Sequence, residues 1–275
     1  MELLKRVLSA FVLIGIVLGC VFIGELTTVV LACLVCVLMM LDVTNVLKQG
    51  GNKPQQVVLL LTSICVYPAV SYKGLMGYFL LAAISFAIIT ICVIFNKEHD
   101  FKSMLSSGFC LIYPLIPGAL LVYLTAIDLG SSGRVGTILC IGAILCAALS
   151  DTFAFFGGKL FGKRKLCPQI SPKKTIAGSI ASFFGGALGG LIMYMFFKHP
   201  TASVHMYDWI FIGVACGGFA QIGDLTASML KRFCDVKDYG KYIPGHGGIM
   251  DRMDSISTCL IAIVVYIQIF IPEIL

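Results

Sequence analysis

The sequence predicts an all-α, polytopic transmembrane helical bundle of about nine spans with a cytoplasmic N-terminus. Three observations predict it. First, apolar residues make up 59% of the 275 residues and charged residues 12%, against about 25% charged in soluble domains. Mean hydropathy is +0.98. A soluble globule cannot hide that much apolar surface and still cover itself with polar groups. Second, the apolar residues fall in runs close to the roughly 17–25 residues that cross a bilayer core. Third, with the N-terminus inside, only Lys73, Arg134 and Lys198 of the 20 Lys and Arg fall in outer loops. That is the positive-inside asymmetry of a membrane protein. A soluble enzyme, a secreted disulfide scaffold and a disordered chain are excluded.

The expected spans are 7–24, 27–47, 56–72, 74–96, 103–127, 135–157, 175–197, 207–230 and 254–272. The first starts like a signal peptide, but Gly19-Cys20-Val21-Phe22 leads straight into a second apolar run. It is therefore expected to be retained. The break between the third and fourth spans is expected at Lys73. Pro272-Glu273-Ile274-Leu275 should lie outside. The whole chain reads as one integral-membrane domain, with a hydrophobic helical half at 1–130. The half at 131–275 is expected to be catalytic, with cytoplasmic loops at 158–174 and 231–253. No repeat of 20–50 residues is present.

The 12 cysteines are scattered through apolar runs; the one close pair, Cys33 and Cys36, lacks partners at zinc spacing. They read as reduced thiols packing as small hydrophobes. The net charge of +6 reads as basic loops facing anionic lipid or anionic substrate, with no nucleic-acid partner. Gly185-Gly186 and Gly189-Gly190 permit close helix contacts within one chain or across a homodimer.

Polar residues concentrate in two clusters. The first runs from Asp151, at the end of an uncharged run, through Lys159, Lys163, Arg164, Lys165, Lys173 and Lys174. Ser171-Pro172 stops any helix there, and Thr175 can cap the next. A helix start preceded by lysines and hydroxyls suits phosphate; a basic loop against lipid headgroups is the plainer reading.

In the second cluster Gln221, Asp224, Ser228 and Lys231 share one helix face, as do Asp251, Asp254, Ser255 and Thr258. Carboxylates on facing helices suit a hard cation such as Mg2+. Nearby lysines and arginines suit phosphate oxygens. Together they describe a site for a metal–polyphosphate complex. The alternatives are helix-dipole complements at Asp251 and Asp254 and an ion pair of Asp224 with Arg252 or Lys231. His246 stands between Gly245 and Gly247-Gly248 in an expected tight turn. It serves either loop structure or substrate contact and proton transfer.

The run Ser228, Lys231-Arg232, Lys237-Asp238, Pro244-Gly245-His246-Gly247-Gly248 and Asp251-Arg252-Met253-Asp254 resembles the signature of the phosphatidate cytidylyltransferases (CDP-diacylglycerol synthases). All these positions match in type and spacing. Gly223-Asp224, the Asp151 segment, Phe161-Gly162-Lys163 and Ile170 to Thr175 are also similar to that family. The resemblance covers about 151–255 in motif detail, and 1–150 only as hydrophobic spans. One departure is Ala177, where the family usually carries an acid before the glycine.

The resemblance implies that CTP and phosphatidic acid give CDP-diacylglycerol and pyrophosphate, with Mg2+ required and K+ a candidate second cation. It implies a metal centre at Asp224, Asp251 and Asp254, with Asp151 as a further candidate. Lys231, Arg232, Lys237 and Arg252 would bind phosphates, and Asp238 joins them in the catalytic set. Ser171, Pro172, Lys173, Lys174, Thr175 and Ser228 would contact substrate, and His246, Gly247 and Gly248 would shape the nucleotide pocket. The expected setting is membrane lipid of a bacterial plasma membrane, with the site facing the cytoplasm. Two rivals are a CTP-dependent polyprenol or phytol kinase and a cation-coupled transporter using Asp42, Asp151 and Asp224.

Overall fold

The computed structural model describes residues 2–96, 100–131, 133–196, 205–240 and 247–274. Helices dominate it: α1 (Glu2–Ile23), α2 (Glu25–Gln49), α3 (Gln56–Ile64), α4 (Val66–Ile94), α5 (Phe101–Ile112), α6 (Leu115–Ile127), α7 (Val135–Phe161), α8 (Ile176–Phe196), α9 (Met206–Phe233) and α10 (Met250–Phe270). Among the described residues seven stretches are long and apolar enough to cross a membrane, and Phe11–Ile23 is a shorter apolar helix. The protein is an integral membrane protein.

The middle spans differ in detail from expectation. The stretch 56–96 is divided at Cys65, between α3 and α4. It leaves helical geometry again at Lys73 and Gly74, where Gly74 takes a φ of 56°. The expected span 103–127 is two helices, α5 and α6, parted at Tyr113-Pro114. A proline donates no amide hydrogen and disfavours helix just before it. The basic loop carries a hairpin that the sequence did not announce: β1 (Lys165–Cys167) and β2 (Ser171–Thr175), antiparallel, with Lys165 opposite Thr175 and Cys167 opposite Ser171.

The chain forms two compact units. Residues 1–132 and 231–253 make the first, and 133–230 and 254–275 the second. Helices α9 and α10 each continue across the division, at Leu230-Lys231 and Met253-Asp254.

In the first unit α2 is the central helix. Its Met39, Met40, Val43 and Val46 are fully buried, beside buried Leu59, Leu115 and Leu124. Several hydroxyls inside this apolar packing are paired with neighbours, as buried polar groups generally are. Thr62 Oγ1 donates to Ser85 Oγ at 2.7 Å, and Tyr78 OH donates to the Leu111 carbonyl at 3.0 Å. Residues 231–240 and 247–253 belong to this unit, and Cys234 packs directly on Gly50 at the end of α2.

In the second unit α7, α8 and α9 pack through small residues. A side chain at Gly186 would collide with the Gly213 backbone, and one at Gly190 with the Trp209 carbonyl. The paired glycines thus let α8 and α9 approach backbone to backbone inside one chain. Behind them Gln221 Nε2 donates to Ser182 Oγ at 2.5 Å and to the Gly217 carbonyl at 3.0 Å.

Candidate active site

The second unit assembles one acidic and basic cluster. Asp224 lies on α9, and Lys174 Nζ on β2 reaches its Oδ2 at 2.5 Å. Asp151, on α7, lies close enough to Asp224 to be repelled by it and close enough to Lys174 to be attracted; Ser255 on α10 hydrogen-bonds to it. Asp254 Oδ1 accepts the Ser255 amide at 2.7 Å. The hairpin positions Lys174. Its end is fixed by Thr175, which is buried and whose Oγ1 accepts the Gly178 amide at 3.1 Å. That is the capping expected of Thr175, and it satisfies a donor of the first turn of α8.

The first unit assembles a second cluster. Helix α9 closes at Asp235, which adopts a left-handed φ of 53°, with the Val236 amide returning to the Lys231 carbonyl at 2.9 Å. This places Lys231 in the last turn, where a cation complements the helix dipole. Lys231 Nζ donates to Asp251 Oδ1 at 2.7 Å and stands 5.2 Å from the centre of the Tyr239 ring. The pair is largely withdrawn from solvent, with side-chain exposures of 15% and 5%. Asp251 Oδ2 accepts the amides of Tyr239 at 2.8 Å and Gly248 at 3.0 Å. Gly247, at a φ of 82°, turns the chain so tightly that a side chain there would meet the Asp251 carboxylate. Only glycine takes this conformation without cost.

The other expected site residues divide. Arg232, Lys237, Asp238 and Arg252 are exposed, and Ser228 is half-buried. Pro172 and Lys173 are exposed on β2, with Ser171 at its start. His246 lies outside the described residues. Two members of the expected polar stripes are structural. Gln221 serves Ser182, and Thr258 Oγ1 donates to the Phe219 carbonyl at 2.7 Å. Among the described residues no three His, Cys, Asp or Glu side chains gather to hold a metal ion. Sequence reasoning missed Tyr239, which carries no motif of its own, and the hydrogen bond of Ser255 to Asp151.

An apolar groove of about 640 Å³ runs between α7 and α8, lined by Phe153, Phe156, Leu160, Ile180 and Phe184 among others. Its lining also includes Thr152 and Ala177. An acid at 177 would project into this apolar lining, where a charge is costly.

Residues 4–270 match the sequence model described as the cytidylyltransferase family. A phosphatidate cytidylyltransferase of Staphylococcus epidermidis is 36% identical over 181 residues, covering 64% of this chain and 63% of the relative. One from Staphylococcus aureus is 36% identical over 179 residues with the same coverage, and one from Staphylococcus saprophyticus is 34% identical over 175. The match thus spans 63% of the length of these relatives.

Proposed function

The chain belongs to the cytidylyltransferase family, and on that premise we propose that it transfers the cytidylyl group of CTP to phosphatidic acid. A phosphate oxygen of phosphatidic acid attacks the α-phosphorus of CTP. The bond from that phosphorus to the bridging oxygen breaks, and pyrophosphate leaves with the electron pair. The product is CDP-diacylglycerol.

The observation that carries this reading is the pairing of one lysine with each of two signature carboxylates, Lys174 with Asp224 and Lys231 with Asp251. A phosphomonoester is already a capable nucleophile at neutral pH, so the obstacle is charge. Both reactants are anionic, and the site must neutralise and align them. Lys174 and Lys231 are cations held in place by carboxylates, ready to engage phosphate oxygens. Lys173, Arg232, Lys237 and Arg252 add positive charge for the triphosphate and the departing pyrophosphate.

In the second unit Asp224, with Asp254 and Asp151, and in the first unit Asp251, are the carboxylates we assign to Mg2+. All are hard oxygen donors, with no sulfur or nitrogen among them. Magnesium commonly takes only one or two carboxylates and completes its shell with water and substrate phosphates. One or two of these carboxylates therefore suffice to hold it. Bound there, the ion would offset phosphate charge and polarise the α-phosphorus; K+ fits the same oxygen chemistry as a second ion. The apolar groove between α7 and α8 supports a lipid substrate, whose acyl chains would stay among the spans. The Lys and Arg distribution supports a site at the cytoplasmic face of a bacterial plasma membrane.

The test uses purified protein in detergent with phosphatidic acid, Mg2+ and α-labelled CTP. Label should enter the lipid phase in step with pyrophosphate release, and both should stop with EDTA. Transfer of a γ-label to a lipid alcohol without pyrophosphate would replace this reading with a lipid kinase.

A further inference from the structure

Asp42 lies inside one of the apolar spans of the first half of the chain. It sits on α2 and is fully buried. Its Oδ2 accepts the Met250 amide at 2.9 Å, and the Ile249 amide also donates to the carboxylate. Its Oδ1 has no hydrogen-bond partner among the described residues. Met250 begins α10. The residue before it, Ile249, has no side-chain acceptor for the first-turn amides, which every helix leaves unpaired. Asp42 supplies that acceptor from 208 positions away.

The same carboxylate bounds the glycine turn. A side chain at Gly248 would collide with Asp42, just as one at Gly247 would collide with Asp251. Gly247-Gly248 is thus clasped between two carboxylates, and the Gly248 amide donates to Asp251. Gly50, eight residues along α2 from Asp42, packs against Cys234 just beyond Lys231. Helix α2 therefore backs both ends of the segment that carries Lys231 and Asp251.

We propose that Asp42 is a positioning residue. By capping α10 and bracing Gly248 it sets the placement of Asp251, and through Asp251 that of Lys231. This rests on the proposed function for its kinetic consequence, but its structural part stands apart from it. Asp42 touches no reacting atom. Its influence runs through backbone amides, and an uncharged amide oxygen can accept those as well. Asparagine and aspartate are equally good acceptors at a helix start.

The experiment compares the full-length protein with Asp42→Ala and Asp42→Asn. Asp42→Ala should lower kcat on the order of 100-fold, with the KM for CTP changed less than about threefold, because a misplacement near 1 Å costs that much in rate. Asp42→Asn should recover most of it. In parallel, hydrogen exchange is followed in peptides covering 247–253. The Ile249 and Met250 amides should be protected in the wild type and Asp42→Asn, and exchange fast in Asp42→Ala.

Wild-type kcat in Asp42→Ala, or Asp42→Asn as impaired as Asp42→Ala, would overturn the proposal. If the wild type makes no CDP-diacylglycerol, the functional reading fails, and the exchange data alone judge the anchoring. If Asp42→Ala yields no folded protein, Gly248→Ala presses on the same carboxylate from the other side. It should reproduce the kcat loss, and unchanged kcat and exchange there would also overturn the proposal.

Discussion

Lys174 Nζ meets Asp224 Oδ2 at 2.5 Å, tying the β-hairpin to α9. Both side chains keep part of their surface open, 24% and 33%. The tie is therefore accessible to an incoming phosphate, which would compete for Lys174, and it holds the hairpin in register until then. Asp151 beside them adds a second carboxylate that the same lysine attracts.

Asp224→Asn keeps the shape and removes the charge. Turnover should fall about 100- to 1000-fold, the range lost when a main electrostatic element of a site is removed. Gel filtration and circular dichroism should match the wild type. Wild-type turnover in this variant would take Asp224 out of the metal assignment.

Lys231→Met removes one partner of a largely buried ion pair. Stranding Asp251 should destabilise the protein by about 3–5 kcal/mol, as breaking such pairs does. Lys231→Met with Asp251→Asn should recover most of the stability, since no charge is stranded and the amide oxygen still accepts the Tyr239 and Gly248 amides. The double variant should remain inactive. Thermal unfolding in detergent separates the two effects, and an active double variant would show that neither residue serves the reaction.

Gly190→Leu should open the contact of α8 with α9, because the first added carbon already runs into the Trp209 carbonyl. Overpacking of this kind costs about 1–3 kcal/mol or more. The yield of monodisperse protein and its unfolding temperature should both drop. Gly19→Leu is the control, since nothing stands within 4 Å of a side chain there. Equal losses in the two variants would mean that the glycine pairing is not what holds α8 to α9.

Much of the helical fold was legible because apolar runs of bilayer length have few other uses. The break at Lys73 was also legible, since a lysine interrupts such a run. The hairpin at 165–175 was not. Its strand Ser171-Pro172-Lys173-Lys174-Thr175 has little β propensity and carries a proline. It stands because Lys174 is tied to Asp224 and Thr175 caps α8. The division at Tyr113-Pro114 went unread inside a run apolar on both sides.

At the site, spacing identified the acidic and basic residues but not their partners. Asp224 and Lys174 are 50 positions apart, on different kinds of element, and no local pattern pairs them. Gln221 looked like part of the stripe with Asp224. The small residues Ser182 and Gly217 behind it leave room for its amide and draw it into the packing.

The hydrogen bond from Met250 to Asp42 also dictates an order of biogenesis. The ribosome makes Asp42 208 residues before the amide that it accepts. At 5–20 residues per second that is a wait of roughly 10–40 s. Helix α2 must enter the bilayer with its acid unanswered, on the strength of its apolar neighbours. The first unit needs residues 231–253 and the second needs 254–275. Neither can close until nearly the whole chain has been translated. A nascent chain stalled before α10 leaves a carboxylate stranded in a membrane helix, a mark that quality-control proteases could read.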